Sequence, residues 1–427
     1  MQNNTILQFP KGFLWGASTS AYQIEGGIVN DWSEWEKANA VRLSEQAKTY
    51  WSAKQQEMFP EMFDPKNYIC GQAMDSYNRF DEDLDCLKEL NVNVYRMGIE
   101  WARIEPEEGK FDIKVVEYYR GALQKLKENN IQVVLTLWHW TLPLWISKQG
   151  GLTSKDVFHH FVRYSELIVN ELGDLVDYWV TLNEPLMIIG HGYLDGKFPP
   201  NKKWDLLGSV KLFNNYIKIH KEIYKIIHNK FPMAKVSIAM TTGCLEPAHK
   251  WNVIEVLMAK TAHYFRNELF VNKVYKYLDY IGVNYYHHDR IVWYPPFKKN
   301  LNKEVDDRGW EFYPKGLYYV LKKYKKYNKP VLILENGTAD AEDELRPRYI
   351  KEHLKYVHKA IQEGVDVQGY FYWSLTDNFE WAEGFWPKFG LYSVDRKNSF
   401  KRSPRPSAKL YSEICKNNEL VLVNNKK

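Results

Sequence analysis

Hydrophobic residues fall along this chain in short, nearly continuous runs that alternate with longer stretches of helical period. Eight runs read as strands: Phe13–Ser18, Val92–Glu100, Val133–Trp140, Tyr178–Asn183, Lys235–Met240, Tyr280–Tyr285, Val331–Glu335 and Gly369–Ser374. Most are apolar on both sides of the pleat, the pattern of parallel strands covered on both faces. Between them lie amphipathic segments such as Val115–Glu128, Val157–Leu172 and Ser209–Asn229, each with one apolar stripe.

Eight strands alternating with helices predict an α/β fold, a (β/α)8 barrel of the TIM type, rather than a doubly wound sheet. No Ser/Gly/Pro-rich linker and no repeat of solenoid length divides the sequence, so residues 1–427 are expected to form a single barrel domain. Two connections are long, from about Gly26 to Ala73 and from His287 to Pro314. Long βα loops gather at the C-terminal ends of barrel strands, so both are expected to wall a cleft.

Polar residues cluster at those same strand ends. Glu184 closes the fourth run in Thr181-Leu182-Asn183-Glu184-Pro185, and Glu335 closes the seventh in Leu332-Ile333-Leu334-Glu335-Asn336-Gly337. Arg96 lies in the second, His139-Trp140 end the third, Asn284-Tyr285-Tyr286 end the sixth, and Trp373 ends the eighth. A carboxylate at the mouth of a buried strand is costly unless it is paired or used. Two of them facing one another have the chemistry of glycoside hydrolysis: one protonates the leaving oxygen, while the other stabilises or attacks the anomeric carbon. Their neighbours must hold the two pKa values apart. Arg96 favours the charged form of a nearby carboxylate, and the Tyr286 hydroxyl is a further donor to it. Either glutamate alone also fits a structural ion pair; the registration of all these residues at one barrel face favours a shared site.

Composition narrows the field further. Sixteen Trp and 30 Tyr suit either a large aromatic core or a sugar site, where flat rings stack on a pyranose. A net charge of +5, from 58 basic and 53 acidic residues, is spread along the chain and argues against a nucleic-acid partner. Runs such as Lys322-Lys323-Tyr324-Lys325-Lys326 read as solvated helix faces. Cys70, Cys86, Cys244 and Cys415 form no C-x-x-C pair, so neither a disulfide framework nor a zinc site is expected and a reducing cytoplasm fits. Met1 to Pro10 lacks an apolar signal core, and no run is long enough to span a bilayer, so no membrane partner is expected. Gly26-Gly27 reads as turn chemistry rather than a phosphate loop, and His287-His288 has no convincing ligand set, so no cofactor and no metal are expected. Nothing in the pattern specifies an oligomer.

Five segments together resemble the family-1 glycoside hydrolases, the β-glucosidase and β-galactosidase family, over essentially the whole length. They are Phe13 to Gly27, Thr181 to Pro185, Asp279 to Tyr286, Leu334 to Gly337, and Trp373 to Gly384, in family order. The resemblance implies a retaining β-glycosidase acting on small β-glycosides or oligosaccharides. By the same resemblance Glu184 is the general acid/base and Glu335 the nucleophile, with their carboxyl groups about 5–5.5 Å apart. It implies that Asn183 bonds the sugar 2-hydroxyl, that Arg96 and Tyr286 hold Glu335 ionised and aligned, and that Gln23, His139, Trp140, Glu380 and Trp381 bind the other hydroxyls. Trp373 becomes the stacking floor. Each of these binders also has a plainer reading: Gln23 and Glu380 as loop residues bonded to backbone, His139 as a core histidine, Trp373 and Trp381 as core.

Glu380 bears on the substrate branch. A carboxylate accepts from free 4- and 6-hydroxyls but repels a 6-phosphate, whose charge is about −1.5 to −2. The downstream Phe385-Trp386-Pro387-Lys388-Phe389 lacks the Ser and Tyr of the family's phosphate cradle, which favours an unphosphorylated glucoside, galactoside or fucoside. Trp386 departs from the small or polar residue common there; it either narrows the pocket near O6 or packs away. Thr141 stands where an acid is frequent, and Trp145 and Trp310 are open between aglycone contact and scaffold. Two alternatives remain on the same barrel: a transglycosylase, and a sugar-binding protein without catalysis, the latter disfavoured because both carboxylates are retained.

Overall fold

The structure, a computed structural model, describes residues 5–422; the ends of the expected 1–427 domain, including Met1 to Asn4, lie outside them. Eight parallel strands close into one barrel in chain order. They are β1 (Leu14–Ser18), β2 (Val94–Gly98), β3 (Gln132–Thr136), β4 (Tyr178–Asn183), β5 (Lys235–Pro247), β6 (Ile281–Ile291), β7 (Val331–Asn336) and β8 (Val367–Trp373). All eight expected runs are therefore strands of the barrel, and β8 closes on β1 with Ser18 opposite Trp373. The amphipathic stretches are helices at Ile113–Glu128, Val157–Leu172 and Leu206–Lys230. No helix among the described residues is long and apolar enough to cross a membrane.

Two apolar layers hold the barrel. Its interior is filled by Leu14, Val94, Val134, Val180, Ala239, Tyr280, Leu332, Leu334 and Phe371, contributed from around all eight strands. The opposite faces of the same strands pack under the helices through Val133, Leu135, Trp179, Val236, Ile238, Val283 and Ile333. This double burial is the reason the strands read as continuous apolar runs.

The strand ends differ from expectation where partners differ. β5 and β6 run past Met240 and Tyr285 to Pro247 and Ile291 because they continue to pair with each other above the rim, from Gly243↔His287 to Pro247↔Ile291. Most of those upper residues are half-buried and several are polar, so they lack the unbroken apolar signal of the lower part. The segment from Gly26 to Ala73 is largely helical, with Asp31–Tyr50 capped by Asn30 and Ala53–Met58 capped by Ser52. Its long helix mixes apolar and charged residues weakly and so was legible only as a connection.

Gly16 shows how tightly the interior is filled. A methyl group there would sit 2.7 Å from Phe371 Cδ1 and 2.8 Å from the Val94 carbonyl oxygen. We expect Gly16→Ala to destabilise the fold by about 1–3 kcal/mol, read as a lower denaturant midpoint with unchanged slope.

Candidate active site

The C-terminal ends of the strands bring one ring of polar side chains together above the apolar plug. Arg96 on β2 is fully buried and lies two residues beyond Val94 of the barrel interior. Its Nε donates to Thr136 Oγ1 at 3.2 Å, its Nη1 to the Leu334 carbonyl at 3.4 Å and to Glu335 Oε1, and its Nη2 to Asn183 Oδ1 at 2.7 Å. The Tyr286 hydroxyl donates to the other oxygen, Glu335 Oε2, at 2.8 Å. Glu335 is thus gripped at both oxygens by groups that stabilise its charged form.

Register shifts lie beside the residues that carry this site. They occur between Val180 and Asn183, between Val283 and Asn284, and between Ile333 and Asn336. Such irregularities re-aim side chains that a regular pleat would alternate. Glu184 follows β4 in the left-handed region at φ 44°, ψ 54°. Pro185 disfavours the right-handed helical conformation for it, and its own N–H is held by the Ala239 carbonyl at 2.8 Å. Trp140 (φ 79°) and Trp381 (φ 51°) share this strained conformation, which surrounding packing must sustain.

Glu184 meets a different environment from Glu335. Asn284 Nδ2 donates to its Oε1 at 3.0 Å, and no arginine is bonded to it. Burial, with the charge of Glu335 as the next cause, raises its pKa to about 7; hydrogen bonds from Thr241 and Asn284 and the charge of Arg266 work against the rise. The two carboxyls therefore respond to each other electrostatically and are joined through Arg96, Asn183 and Asn284, since Asn284 Nδ2 also reaches Asn183 Oδ1 at 3.2 Å. With Oδ1 of Asn183 accepting from Arg96 and Asn284, its amide nitrogen donates to His139 Nε2 at 2.9 Å. That network assigns the His139 proton to Nδ1, which has no partner in the protein. Burial, then the Arg96 charge, lowers the His139 pKa well below its usual range, so the ring is neutral.

Aromatic rings complete the wall. His139 lies 5.8 Å from Trp381 in a stacked arrangement and 6.1 Å from Trp373, while Trp140 and Trp381 are 4.6 Å apart. Trp140 Nε1 donates to the Asn183 carbonyl at 3.1 Å. Gln23 is fully buried, and its amide nitrogen donates to Asn378 Oδ1 at 3.1 Å and the Phe379 carbonyl at 2.8 Å, tying the first βα segment to the last. Its oxygen accepts from Ser20 at 2.6 Å and keeps accepting capacity. Glu380 accepts from Arg308 Nη1 at 3.1 Å through Oε1, whereas Oε2 has no protein partner. Burial raises its pKa to about 8; Arg308 opposes the rise, and Glu383, Glu335 and Glu184 add to it.

Several open readings close here. Trp386 is fully buried and packs among Ala47, Phe59 and Met62, with Trp51 4.9 Å away, so it is scaffold. Trp145 is scaffold too, edge-on to Trp101 and His160 and donating to the Glu105 carbonyl at 3.0 Å. Trp310 belongs to the site wall, 5.7 Å from Tyr286 and 4.3 Å from His287. Thr141 donates to a buried acid from another strand end, Glu100, at 2.9 Å. Tyr285 points into the core and donates to the Tyr313 carbonyl. Among the described residues Cys244, Glu246 and His288 form a possible metal-ligand group. Both His288 nitrogens there already face carboxylates, Glu246 at 3.1 Å and Glu311 at 2.6 Å, and Arg290 lies against both acids. Sequence reasoning gave no role to Asn284, Thr241, Arg266 or Arg308. Asn284 was visible at a strand end, whereas Arg308 sits in a loop with no periodic signal.

The glycosyl hydrolase family 1 model matches this chain in two overlapping parts, residues 5–307 and 278–420. The chain belongs to glycosyl hydrolase family 1. Beta-glucosidase A of Thermotoga maritima is 32% identical over 462 aligned residues, covering 97% of this chain and 99% of that protein. A beta-galactosidase of Pyrococcus woesei is 28% identical over 520, covering 96% and 97%. The solved beta-glycosidase of Pyrococcus horikoshii superposes with a TM-score of 0.85 at 34% identity, covering 97% of this chain and 96% of that one. The family-1 chain is thus an O-glycosyl hydrolase on a (β/α)8 barrel.

The pH dependence follows from Glu184. With Glu184 in the expected role of proton donor, which acts only while protonated, activity is lost as pH rises through its pKa of about 7. We expect kcat/KM for an aryl β-glycoside with a poor leaving group to fall about tenfold per pH unit above that value. A flat profile to pH 9 would show that Glu184 is not the donor.

Proposed function

We propose that this family-1 chain, read as a single domain, is a retaining β-glycosidase that removes terminal β-linked sugars, with β-glucosides as its main substrates. The observation that carries the proposal is the electrostatic division between Glu335, bonded to Arg96 and Tyr286, and Glu184, whose pKa burial and the Glu335 charge raise to about 7. One carboxyl is equipped to attack and the other to donate a proton.

In the first step Glu335 attacks the anomeric carbon as Glu184 protonates the departing oxygen, giving a covalent glycosyl-enzyme. Esterification removes the Glu335 charge and with it one cause of the raised Glu184 pKa. Glu184, which has given up its proton, then stays ionised and is available to take a proton from the incoming water, whose attack releases the sugar with its configuration retained. Asn183, aligned by Arg96 and His139, is placed to bond the 2-hydroxyl, an interaction that strengthens as oxocarbenium character develops. Trp373 supplies the apolar floor, and Gln23, His139, Trp140, Glu380 and Trp381 face the remaining hydroxyls. The β-glucosidase and β-galactosidase names of the relatives support a glycone range spanning both sugars. Four free, buried cysteines support a reducing compartment such as the cytoplasm.

Glu335→Gly should lose hydrolysis by at least about 10³-fold while keeping its fold, and added azide should restore turnover with an α-glycosyl azide as product. Full retained activity in Glu335→Gly would sink the nucleophile assignment. A second measurement tests the substrate branch: p-nitrophenyl β-D-glucoside against its 6-phosphate. With the Arg308 guanidinium already shared by Glu380 and Glu383, the phosphorylated substrate should be poorer by about 100-fold or more. Preference for the 6-phosphate would overturn the reading.

A further inference from the structure

The loop after β6 brings a guanidinium against the sugar-facing wall. Asp306 Oδ1 accepts from the backbone N–H groups of Arg308 and Trp310, at 3.0 and 2.8 Å, and Gly309 makes the reversal between them at φ 83°. The tight turn lays the Arg308 guanidinium over the Trp310 ring, 3.7 Å from its centroid. Trp310 in turn rests against Tyr286, the hydroxyl donor to Glu335. Across the pocket wall Arg308 Nη1 donates to Glu380 Oε1 at 3.1 Å and Nη2 to Glu383 Oε1 at 2.8 Å, and Nε lies 2.7 Å from Glu383 Oε2. One side chain thus fastens the β6–β7 loop to the turn after β8. Its own exposure is only 10%.

We propose that Arg308 is a specificity-determining positioning residue that makes Glu380 an unequal acceptor for the two sugar hydroxyls it faces. The proposal deepens, and rests on, the β-glycosidase reading in which Glu380 meets the 4- and 6-hydroxyls. A free carboxylate offers two equivalent oxygens. In the ionised form that Arg308 favours against burial, the charge on Oε1 is compensated by the guanidinium and one of its lone pairs is engaged, whereas Oε2 is buried without a donor among the described residues. A hydroxyl bonded to the uncompensated oxygen gains the larger charge-assisted interaction. Arg308 also supplies the positive charge that Glu380 needs among its acidic neighbours Glu383, Glu335 and Glu184. Glu383 has a place in the same design. By taking the other edge of the guanidinium it keeps Arg308 from pairing wholly with Glu380, which leaves Glu380 free to receive sugar.

The consequence is selective tolerance: changing one of the two sugar positions should cost little and changing the other should cost much. The test uses p-nitrophenyl β-D-glucoside with its 4-deoxy and 6-deoxy analogues on wild type, Arg308→Gln and Arg308→Lys, with folding checked by circular dichroism. In wild type the kcat/KM penalties for the two deoxy substrates should differ by about tenfold or more, the worth of one charge-assisted hydrogen bond. In Arg308→Gln the ratio should shrink to about threefold or less, and KM for the parent glucoside should rise by a larger factor than kcat falls. Arg308→Lys restores the charge without the fork and should lie between. Equal penalties in wild type, or an unchanged ratio in Arg308→Gln, would overturn the proposal. Should Arg308→Gln fail to fold, the Arg308→Lys ratio decides: unchanged from wild type, it refutes the role. A folded wild type that hydrolyses none of the three substrates would instead overturn the glycosidase reading on which the proposal stands.

Discussion

A guanidinium sealed inside a barrel is the constraint around which this site is arranged. Arg96 carries a permanent charge with no exposure to water, and transferring such a charge from solvent costs several kcal/mol unless it is paired and hydrogen-bonded. The structure meets the cost with four hydrogen bonds to Thr136, Leu334, Glu335 and Asn183. Satisfying Arg96 therefore also fixes the Glu335 carboxylate and the Asn183 amide beside Glu184. Removing Glu335 leaves an unpaired buried cation; removing Arg96 leaves a buried anion among other acids.

The same economy explains how three acids share one small space. Glu335 has an arginine and a tyrosine, Glu380 has Arg308, and Glu184 has only amide and hydroxyl donors. Cation placement sets the partners of each acid, while burial raises the pKa of Glu184 and of Glu380 alike, the latter in spite of Arg308. Neutral His139, Asn183 and the tryptophans of the wall add no further charge to this balance.

The barrel was legible because parallel strands buried on both faces leave unbroken apolar runs, and all eight were found. Glu184 and Glu335 were legible because a carboxylate beside a strand breaker stands out against such runs. The positions of Asn183 and Glu335 relative to their neighbours were not, since they depend on register shifts that a period-two pattern does not encode. Arg308 was hidden for another reason: its role is set by a turn at Gly309 and by acids some 70 residues away in sequence. Trp386 was open between narrowing the pocket and packing away, and its packing against the helical segment after β1 decides for the second.

The unequal heights of the strands carry a mechanical consequence. β5 spans 13 residues and β6 spans 11, and their ladder continues well above the level of the reactive groups. Thr241 and Asn284, the donors to Glu184, therefore sit within a ladder that is paired both below and above them. Glu335 and Trp373 sit instead at the tips of strands of six and seven residues, like the free ends of cantilevers steadied by braces such as Arg96 and Tyr286. The alignment of Glu335 is therefore carried by side-chain braces that cross from other strands, whereas the donors to Glu184 are carried by backbone pairing.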